Sequence, residues 1–379
     1  MGPPEFGEGG CDQGGDVQGD PGLFVVDAET LVNRLVTHDG LFVYDFLGSG
    51  FKAWSPDGSK FGFMGGVLVG DDVSDEGLYV VEGDGSGTRL LVPIPGDAFW
   101  TAWSWAPDGS AIAFSLADPT GGDLEIFVVD VETAAIRQLT DNDRNDDYPV
   151  WSNDGSRIAY LGGPPYQEGF TLAVEMYVSD SDGTSERRVT DLGAILSDLR
   201  WAPDDSAVLF RYTPNDLESD AFDWSLFGLA EIFKVEIDGT SVTQLTELQE
   251  MMRGLEEDQR TVAVLLSVPV WAPDLSQVAF ATFSEATLNA GPSFPDAISI
   301  VDFDHRLTHT IATGIGPVFS LAWSPDSSKM LVMAGTDEHA TMFTGNVEIY
   351  ALDVADGTME RLTYYEGIDS RPAWAQPGE

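Results

Sequence analysis

The stretch DNDRND has the residue spacing of a cation-binding loop. Asp141, Asp143 and Asn145 occupy alternate positions, as the first ligands of a calcium loop do, and their hard oxygen atoms are the ligands that calcium prefers. The match is partial. Asp146 stands where such a loop has a turn glycine, and Ser152 replaces the bidentate glutamate at its last position. Calcium is therefore our candidate cofactor, and a solvated acidic loop is the alternative.

Cationic side chains are scarce, and three of them directly precede a recurring tryptophan. Lys52, Arg200 and Arg371 stand two, one and three residues before it, where they could bind an anionic group of a ligand. They could equally form structural ion pairs. The acidic partners at similar positions are Asp146, Asp198 and Asp369.

One repeated phrase organises the chain. It reads AWSPDGSKFGF around Trp54 and recurs about every 50 residues, the spacing of a repeat architecture. The further copies begin at Trp105, Trp151, Trp201, Trp271 and Trp323, and a shortened one begins at Trp374. A second phrase ends in Leu-Thr or Val-Thr shortly before the next tryptophan, as at Thr140 before Trp151. This alternation indicates an array of similar units.

Each unit is predicted to contain four short strands. The first ends at the tryptophan, a Ser-Pro-Asp-Gly turn follows, and apolar runs bounded by Gly, Asp and Ser make the other three. Radially repeated four-stranded units are the signature of a β-propeller. We predict an all-β chain with seven blades, the last one closed by residues 22–37 and by the C-terminal RPAW segment. Six blades with decorated ends is the alternative.

The repeat phrase resembles the propeller repeats of TolB and its relatives. These relatives include the propeller domains of prolyl oligopeptidase-type peptidases and the oligogalacturonate lyases. The resemblance covers residues 22–376 and carries the Trp-Ser-Pro-Asp-Gly turn together with the Leu-Thr ending. It implies a β-propeller fold, and it leaves the function open because that fold hosts many roles.

The sequence favours a non-catalytic role. The peptidase relatives carry a separate hydrolase domain, and no Gly-x-Ser-x-Gly motif occurs in this chain. The lyase relatives hold a metal with clustered histidines in the central channel. Here the four histidines fall in separate connections. His305 and His309 lie between the third and fourth strands of one blade, and His38 and His339 lie in two different loops.

The connections between the second and third strands are long, and each is different. Variable loops on a rigid scaffold are where binding usually resides. These loops are acidic and contain aromatic residues that suit a protein, peptide or sugar partner, although each ring could instead pack within its own loop. Tyr166, Trp224 and Phe227 are the rings that we take as candidate ligand-binding residues.

The net charge of −46, from 64 acidic and 18 basic residues, restricts the partners. Nucleic acid and anionic lipid are disfavoured because their binding depends on Lys and Arg. Such a surface suits basic partners, divalent cations or a saline medium.

The N-terminal residues 1–20 read as a flexible acidic and Gly-rich tail, and residues 21–379 as one β-propeller domain. Cys11 heads an acidic spacer, as the lipid-anchored cysteine of a bacterial lipoprotein does, although an incidental thiol in a tail is equally consistent. No apolar run is long enough for a membrane span. We expect a monomer in the periplasm or at the cell surface.

Together these features predict a cell-envelope β-propeller that binds or scaffolds a protein or peptide partner through its long acidic and aromatic loops. The alternative is a carbohydrate-binding or polyuronide lyase-like propeller with a metal in the central channel.

Overall fold

The chain folds into antiparallel β-sheets, and the described residues contain no helix. The structure is a computed structural model. It describes residues 24–26, 33–35, 41–43, 54–69, 72–94, 100–117, 123–164, 174–213, 231–245, 270–282, 296–302, 307–335 and 347–363. Within these ranges no helix has the length and hydropathy of a membrane span.

Six four-stranded sheets and one two-stranded pair make up the described structure. The pair consists of β1 (Phe24–Val26) and β2 (Asn33–Leu35). Sheet 1 contains β3 (Leu41–Val43), β4 (Lys60–Val69), β5 (Asp72–Glu82) and β6 (Arg89–Pro93). Sheet 2 contains β7 (Trp100–Trp105), β8 (Ala111–Ala117), β9 (Leu124–Asp130) and β10 (Ile136–Gln138). Sheet 3 contains β11 (Asn145–Trp151), β12 (Arg157–Gly163), β13 (Glu175–Asp180) and β14 (Arg187–Arg188).

The second half of the chain repeats the pattern. Sheet 4 contains β15 (Ile195–Trp201), β16 (Ala207–Thr213), β17 (Glu231–Glu236) and β18 (Val242–Gln244). Sheet 5 contains β19 (Val270–Trp271), β20 (Gln277–Thr282), β21 (Ala297–Asp302) and β22 (Leu307–Thr313). Sheet 6 contains β23 (Val318–Trp323), β24 (Lys329–Gly335), β25 (Val347–Asp353) and β26 (Met359–Arg361). In every sheet the strands are hydrogen-bonded in chain order.

The chain divides into two compact units. Unit 1 comprises residues 1–192, 197–201 and 375–379, and unit 2 comprises residues 193–196 and 202–374. Unit 1 therefore holds sheets 1 to 3 and the last five residues of β15. Unit 2 holds most of sheet 4 and all of sheets 5 and 6.

In unit 1 the core lies between successive sheets. Ile112 and Phe114 of β8 pack with side chains of sheet 1, whereas Ala113 between them packs with Ile158 and Tyr160 of sheet 3. Successive side chains of a strand point to opposite faces. Because both faces of sheet 2 are covered, the strand is apolar at every one of these positions. In unit 2 the same arrangement recurs between sheets 4 and 5 and between sheets 5 and 6.

The recurring Ser-Pro-Asp-Gly phrase forms the same turn in all six sheets. In the first copy Gly58 N donates to Ser55 O at 2.9 Å, and Asp57 Oδ1 accepts from Ser59 N at 3.0 Å. The equivalent aspartates are Asp108, Asp154, Asp204, Asp274 and Asp326. The phrase is therefore part of the architecture and not a unique site.

Two of the scarce arginines join neighbouring sheets within unit 1. Arg89 of β6 donates to the carbonyl oxygen of Val131 in sheet 2, and Arg137 of β10 donates to that of Ser181 in sheet 3. The two acceptors occupy the same place, one residue after the third strand of their sheet. These cations have a structural use.

The predicted connection between the second and third strands of sheet 1 belongs largely to those strands. The GGVLVGDDVSDEG segment continues β4 and β5, and Val67 pairs with Ser74 and Val69 with Asp72. These pairs make β4 and β5 longer than the corresponding strands of the other sheets.

Candidate binding site

The connection that leads into sheet 3 carries the most unusual chemistry in the described part of the chain. We call residues 140–148 the entry segment. Its first residue is tied to β9, because Ile126 N donates to Thr140 Oγ1 at 2.8 Å. Asn142 N donates to Glu125 Oε1 at 2.7 Å. Burial raises the pKa of Glu125, and the hydrogen bond from Asn142 acts against it.

The attachment through the threonine is a repeated feature of the fold. Met176 N donates to Thr190 Oγ1 at 2.8 Å in sheet 3, and Ile349 N donates to Thr363 Oγ1 at 2.9 Å in sheet 6. The Leu-Thr or Val-Thr ending thus closes the third strand onto the fourth. It does not distinguish the entry segment from the other connections.

An ion pair between a half-buried arginine and a buried aspartate lies at the centre of the entry segment. Arg144 Nε donates to Asp146 Oδ1 at 2.6 Å and Nη2 to Oδ2 at 3.1 Å, and Asp146 is fully buried. Asn142 Nδ2 also donates to Asp146 Oδ2, at 2.7 Å. Burial disfavours the charge of Arg144, but its hydrogen bonds with Asp146 and Glu186 outweigh this effect and raise its pKa. The pair is a two-point, charge-assisted contact.

The guanidinium of Arg144 also lies on the surface of sheet 3. Its central carbon is 3.8 Å from the ring centroid of Tyr177, and Nη2 is 3.0 Å from Glu186 Oε2. Tyr160 OH donates to the same Glu186 oxygen. A Cβ at Gly162 would lie 2.6 Å from Arg144 Nε, so glycine leaves the space that the arginine occupies.

The side-chain amide of Asn145 makes two hydrogen bonds with the backbone. Its Oδ1 accepts from Leu124 N at 2.8 Å, and its Nδ2 donates to Pro164 O at 3.0 Å. Asp141 and Asp143, the other two candidate calcium ligands, are exposed. The amide of Asn145 is thus engaged with the backbone while the two carboxylates face solvent. In the described ranges no group of three or more His, Cys, Asp or Glu side chains is arranged to hold a metal.

The end of the entry segment presents an aromatic ring. Asp147 Oδ1 accepts from Ser115 Oγ at 2.6 Å and from Tyr148 N at 2.7 Å, and Ser115 and Asp147 are buried. The pairing of β11 with β12 shifts register between Asp147 and Val150. Tyr148 lies in this β-bulge, and its side chain is exposed. The segment therefore holds Asp141, Asp143 and Tyr148 outward on a framework of buried polar contacts.

The corresponding connection into sheet 4 is built differently. Aligned on the step from threonine to tryptophan, Asn142, Arg144, Asn145 and Asp146 correspond to apolar residues. These are Leu192, Ala194, Ile195 and Leu196. The last three are buried. The fold therefore does not require the polar framework, since another repeat of the same chain manages without it.

Of the predicted ligand-binding residues, Arg200 is described. Its Nη1 donates to Leu199 O at 2.9 Å. Burial lowers the pKa of Arg200, and the nearby carboxylate of Asp198 acts in the opposite direction. His309 lies within β22, opposite Ile300, and not in the connection before it. The other predicted residues lie outside the described ranges: Cys11, His38, Lys52, Tyr166, Trp224, Phe227, His305, His339, Asp369 and Arg371.

Sequence reasoning missed the residues that organise the site, namely Glu125, Arg144, Asp147 and Tyr148. Motif spacing pointed to alternate oxygen ligands, whereas the structure uses Asn145 and Asp146 internally. Of these, Arg144 could have been found by comparing connections of equal length, because Ala194 stands at its position in the next one. Polar residues in one copy replace apolar residues in another.

No protein-family model matches the chain. It is 27% identical over 175 residues to an uncharacterized protein of Agrobacterium fabrum (strain C58), an alignment that covers 44% of this chain and 56% of the relative. The chain thus spans little more than half of that relative's length.

Solved structures resemble the chain over most of its length. Oligogalacturonate lyase from Vibrio parahaemolyticus aligns with a TM-score of 0.59 and 16% identity, covering 89% of this chain and 83% of the lyase. The β-propeller domain of the Trilobed protease from Pyrococcus furiosus aligns with a TM-score of 0.51 and 12% identity, covering 84% and 82%. TolB from Acinetobacter baumannii is also similar, with a TM-score of 0.47, 16% identity and coverage of 79% of this chain and 62% of TolB.

The lyase and the protease propeller domain are among the groups that the repeat phrase resembles, so the recognition of the propeller repeat made from sequence is confirmed. At such identities the likeness concerns the fold alone. The chain therefore has the β-propeller fold of antiparallel four-stranded sheets that its Trp-Ser-Pro-Asp-Gly repeats predicted.

Proposed function

We propose that the chain is a non-catalytic binding propeller that takes a basic segment of a protein partner on the face that carries the entry segment. The observation that carries the proposal is the outward presentation of Asp141, Asp143 and Tyr148 on a buried polar framework. A segment whose backbone is held in place before the partner arrives has a lower cost of ordering on binding.

The framework supports a binding role because burying charges is unfavourable for stability. Replacing a buried ion pair with well-packed apolar residues is often neutral or stabilising. The connection into sheet 4 shows that this chain can build the same turn with Ala194 and Leu196. The pair of Arg144 and Asp146 is therefore explained better by what it positions than by the stability it adds.

The charge of the chain supports a cationic partner. At −46 the protein attracts basic segments and repels polyanions. A polyuronide is a polyanion, so the charge disfavours the lyase-like alternative. Oligogalacturonate lyases share the fold, and turnover of polygalacturonate is the outcome that would favour this alternative.

The test compares two charge-matched double variants. Asp141→Asn with Asp143→Asn removes two carboxylates from the entry segment. Glu132→Gln with Glu360→Gln removes two exposed carboxylates elsewhere. Titration with a hexalysine peptide in a calorimeter, in a buffer of physiological ionic strength, measures Kd for each. We expect the first variant to weaken binding about threefold and the second to leave Kd unchanged. An equal loss in both variants, or no binding by the unaltered protein, would contradict the proposal.

We further infer that the repeats form seven blades. The antiparallel pairing of β1 with β2 supports this number, because the sequence predicts them as the third and fourth strands of a composite blade. Deleting residues 22–37 should lower the melting temperature, whereas deleting residues 1–20, the predicted tail, should not. Equal melting temperatures for the two deletions would favour six blades.

The cell envelope is the proposed location, and two chemical expectations go with it. Mass spectrometry of the native protein should find diacylglycerol on Cys11 if the chain is lipid-anchored. Calorimetric titration with calcium should give heat that is lost in Asp143→Ala if the exposed carboxylates bind the ion. An unmodified thiol would remove the first expectation, and heat equal to the buffer blank would remove the second.

A further inference from the structure

We infer that Tyr148 is a stacking platform for the guanidinium group of an arginine in the partner. This inference rests on the proposed function and specifies the chemistry that the site selects.

The first observation is that the side chain of Tyr148 is exposed. In the described ranges three large hydrophobic side chains are exposed: Ile136 at 47%, Tyr148 at 40% and Val242 at 38%. Ile136 and Val242 lie on the fourth strands of their sheets, which are the edges. Tyr148 lies on β11, the first strand and so the opposite edge of its sheet, and it is set apart by its place in the β-bulge between Asp147 and Val150.

The backbone of Tyr148 is strained in order to place the ring there. Its φ is +54°, a conformation that bulky side chains rarely adopt. The strain is balanced by Asp147, whose carboxylate accepts from Tyr148 N and from the buried Ser115 hydroxyl. Ser115 Oγ in turn lies 3.2 Å from both Ala102 N and Ala102 O. Strain that the surroundings hold in place is typical of functional positions.

The fold supplies this bulge, and the sequence chooses the side chain that occupies it. Three residues before the tryptophan of sheet 4, the equivalent residue is Asp198, with a φ of +53°. In sheet 2 the equivalent residue is Ala102, which is buried beside another register shift. An aromatic ring is therefore no requirement of the architecture. The first repeat has Phe51 at this position, outside the described ranges, whereas the described equivalents Ala102, Asp198 and Ser320 are not aromatic.

A guanidinium group is complementary both to the aromatic ring of Tyr148 and to the carboxylates of Asp141 and Asp143. An aromatic face attracts a cation, and the planar guanidinium stacks on it better than an ammonium group does. The exposed Asp143 and Asp141 precede Tyr148 by five and seven residues. At a rise of about 3.3 Å per residue they lie within roughly 17–23 Å of it along the chain. An extended peptide with one arginine over the ring and a second basic residue several positions away would reach both.

The experiment separates stacking from general charge attraction. Hexa-arginine and hexalysine peptides are titrated into the protein in a buffer of high ionic strength, which screens exposed charges. Tyr148→Asn removes the ring while tolerating the left-handed backbone, and Tyr148→Phe keeps it. Ile136→Asn is the matched control, because it removes a side chain of similar exposure from an edge strand.

We expect the unaltered protein to bind hexa-arginine more tightly than hexalysine. Tyr148→Asn should weaken hexa-arginine binding about fivefold and remove the preference, with hexalysine affinity little changed. Tyr148→Phe and Ile136→Asn should behave as the unaltered protein. Melting curves verify that each variant is folded.

The contrary outcomes are distinct. If Tyr148→Asn binds hexa-arginine as tightly as the unaltered protein while Asp141→Asn with Asp143→Asn still weakens hexalysine binding, the proposed function stands and the role of Tyr148 is refuted. If the unaltered protein binds neither peptide, both fail. If Tyr148→Asn lowers affinity for polygalacturonate and not for hexa-arginine, the ring serves a sugar and the inference is wrong.

Discussion

The indole nitrogen of Trp201 donates a hydrogen bond of 2.9 Å to the carbonyl oxygen of Val150. Val150 directly precedes Trp151, the tryptophan of the previous repeat. In unit 2 the same relationship joins Trp323 Nε1 to Val270 O, also at 2.9 Å. The most conspicuous residue of the repeated phrase therefore connects the first strands of successive sheets.

Replacing Trp201 with Phe should remove this hydrogen bond while keeping an aromatic ring. We expect the free energy of unfolding to fall by about 1 kcal/mol for the lost bond. Trp151→Phe is the matched control, because its buried indole nitrogen has no hydrogen-bond partner among the described residues. Urea unfolding of both variants checks this, and an equal loss in the two would contradict the role of the bond.

Ser327→Gly should stabilise the protein. Ser327 has a φ of +59°, a conformation that glycine adopts without steric cost, and its buried hydroxyl has no partner in the described ranges. Gly109 occupies the equivalent position of another turn with a φ of +71°. We expect a gain of about 1 kcal/mol. Gly109→Ser should do the opposite. Thermal unfolding measures both, and a lower melting temperature for Ser327→Gly would refute this explanation.

The turn aspartates should make stability depend on acid pH. The pKa values of Asp154 and Asp326 are lowered from 3.8 to about 2. The main causes are the hydrogen bonds from Ser156 N to Asp154 and from the Ser324 hydroxyl to Asp326. A lowered folded-state pKa stabilises the fold above about pH 4, and this contribution is lost as the pH falls toward about 2.

Urea unfolding across this range should therefore show a falling midpoint. Asp154→Asn should lower the midpoint near neutral pH and reduce its fall in acid, because one titrating carboxylate is gone. A variant with the same pH dependence as the unaltered protein would exclude Asp154 as a source of the effect.

Arg144→Ala should destabilise the protein by about 3 kcal/mol, because it leaves the buried carboxylate of Asp146 without its cation. The double variant Arg144→Ala with Asp146→Leu should recover most of this loss. It introduces the residues that Ala194 and Leu196 provide in the next connection. Chemical denaturation measures both variants. A double variant less stable than the single one would show that the framework is needed for folding itself.

The melting temperature should rise between low and high NaCl. A net charge of −46 destabilises the compact state through self-repulsion, and salt screens exposed charges beyond about 10 Å at roughly 0.1 M. Differential scanning calorimetry over a series of NaCl concentrations measures the melting temperature. The same measurement with sucrose controls for nonionic stabilisation. A flat or falling response would contradict adaptation to a saline medium.

The repeat could be predicted because its chemistry is local. The carboxylate of Asp57 bonds to residues two positions away on either side, Ser55 and Ser59, so the turn is encoded within one short phrase. The apolar runs between turns likewise predict strands, since both faces of each inner strand are covered. The turns and the strands can therefore be recognised from the sequence without knowledge of the tertiary structure.

The candidate site could be predicted only in part, because its contacts are distant in sequence. Asn145 looked like a calcium ligand, yet its amide bonds to Leu124 and Pro164, 21 and 19 residues away. The exposure of Tyr148 depends on a bulge supported by Ser115, 32 residues from its partner Asp147. Spacing along the chain gave no indication of either contact.

The amino-acid sequence by itself determined the repeated four-stranded unit, its turns and the overall acidity, because these follow from neighbouring residues and from composition. Only the tertiary structure decided which polar residues of the entry segment are buried and which face solvent. Burial depends on what packs against a side chain: Asp147 is bonded to Ser115 of β8, and the guanidinium of Arg144 that pairs with Asp146 lies over Tyr177 of β13.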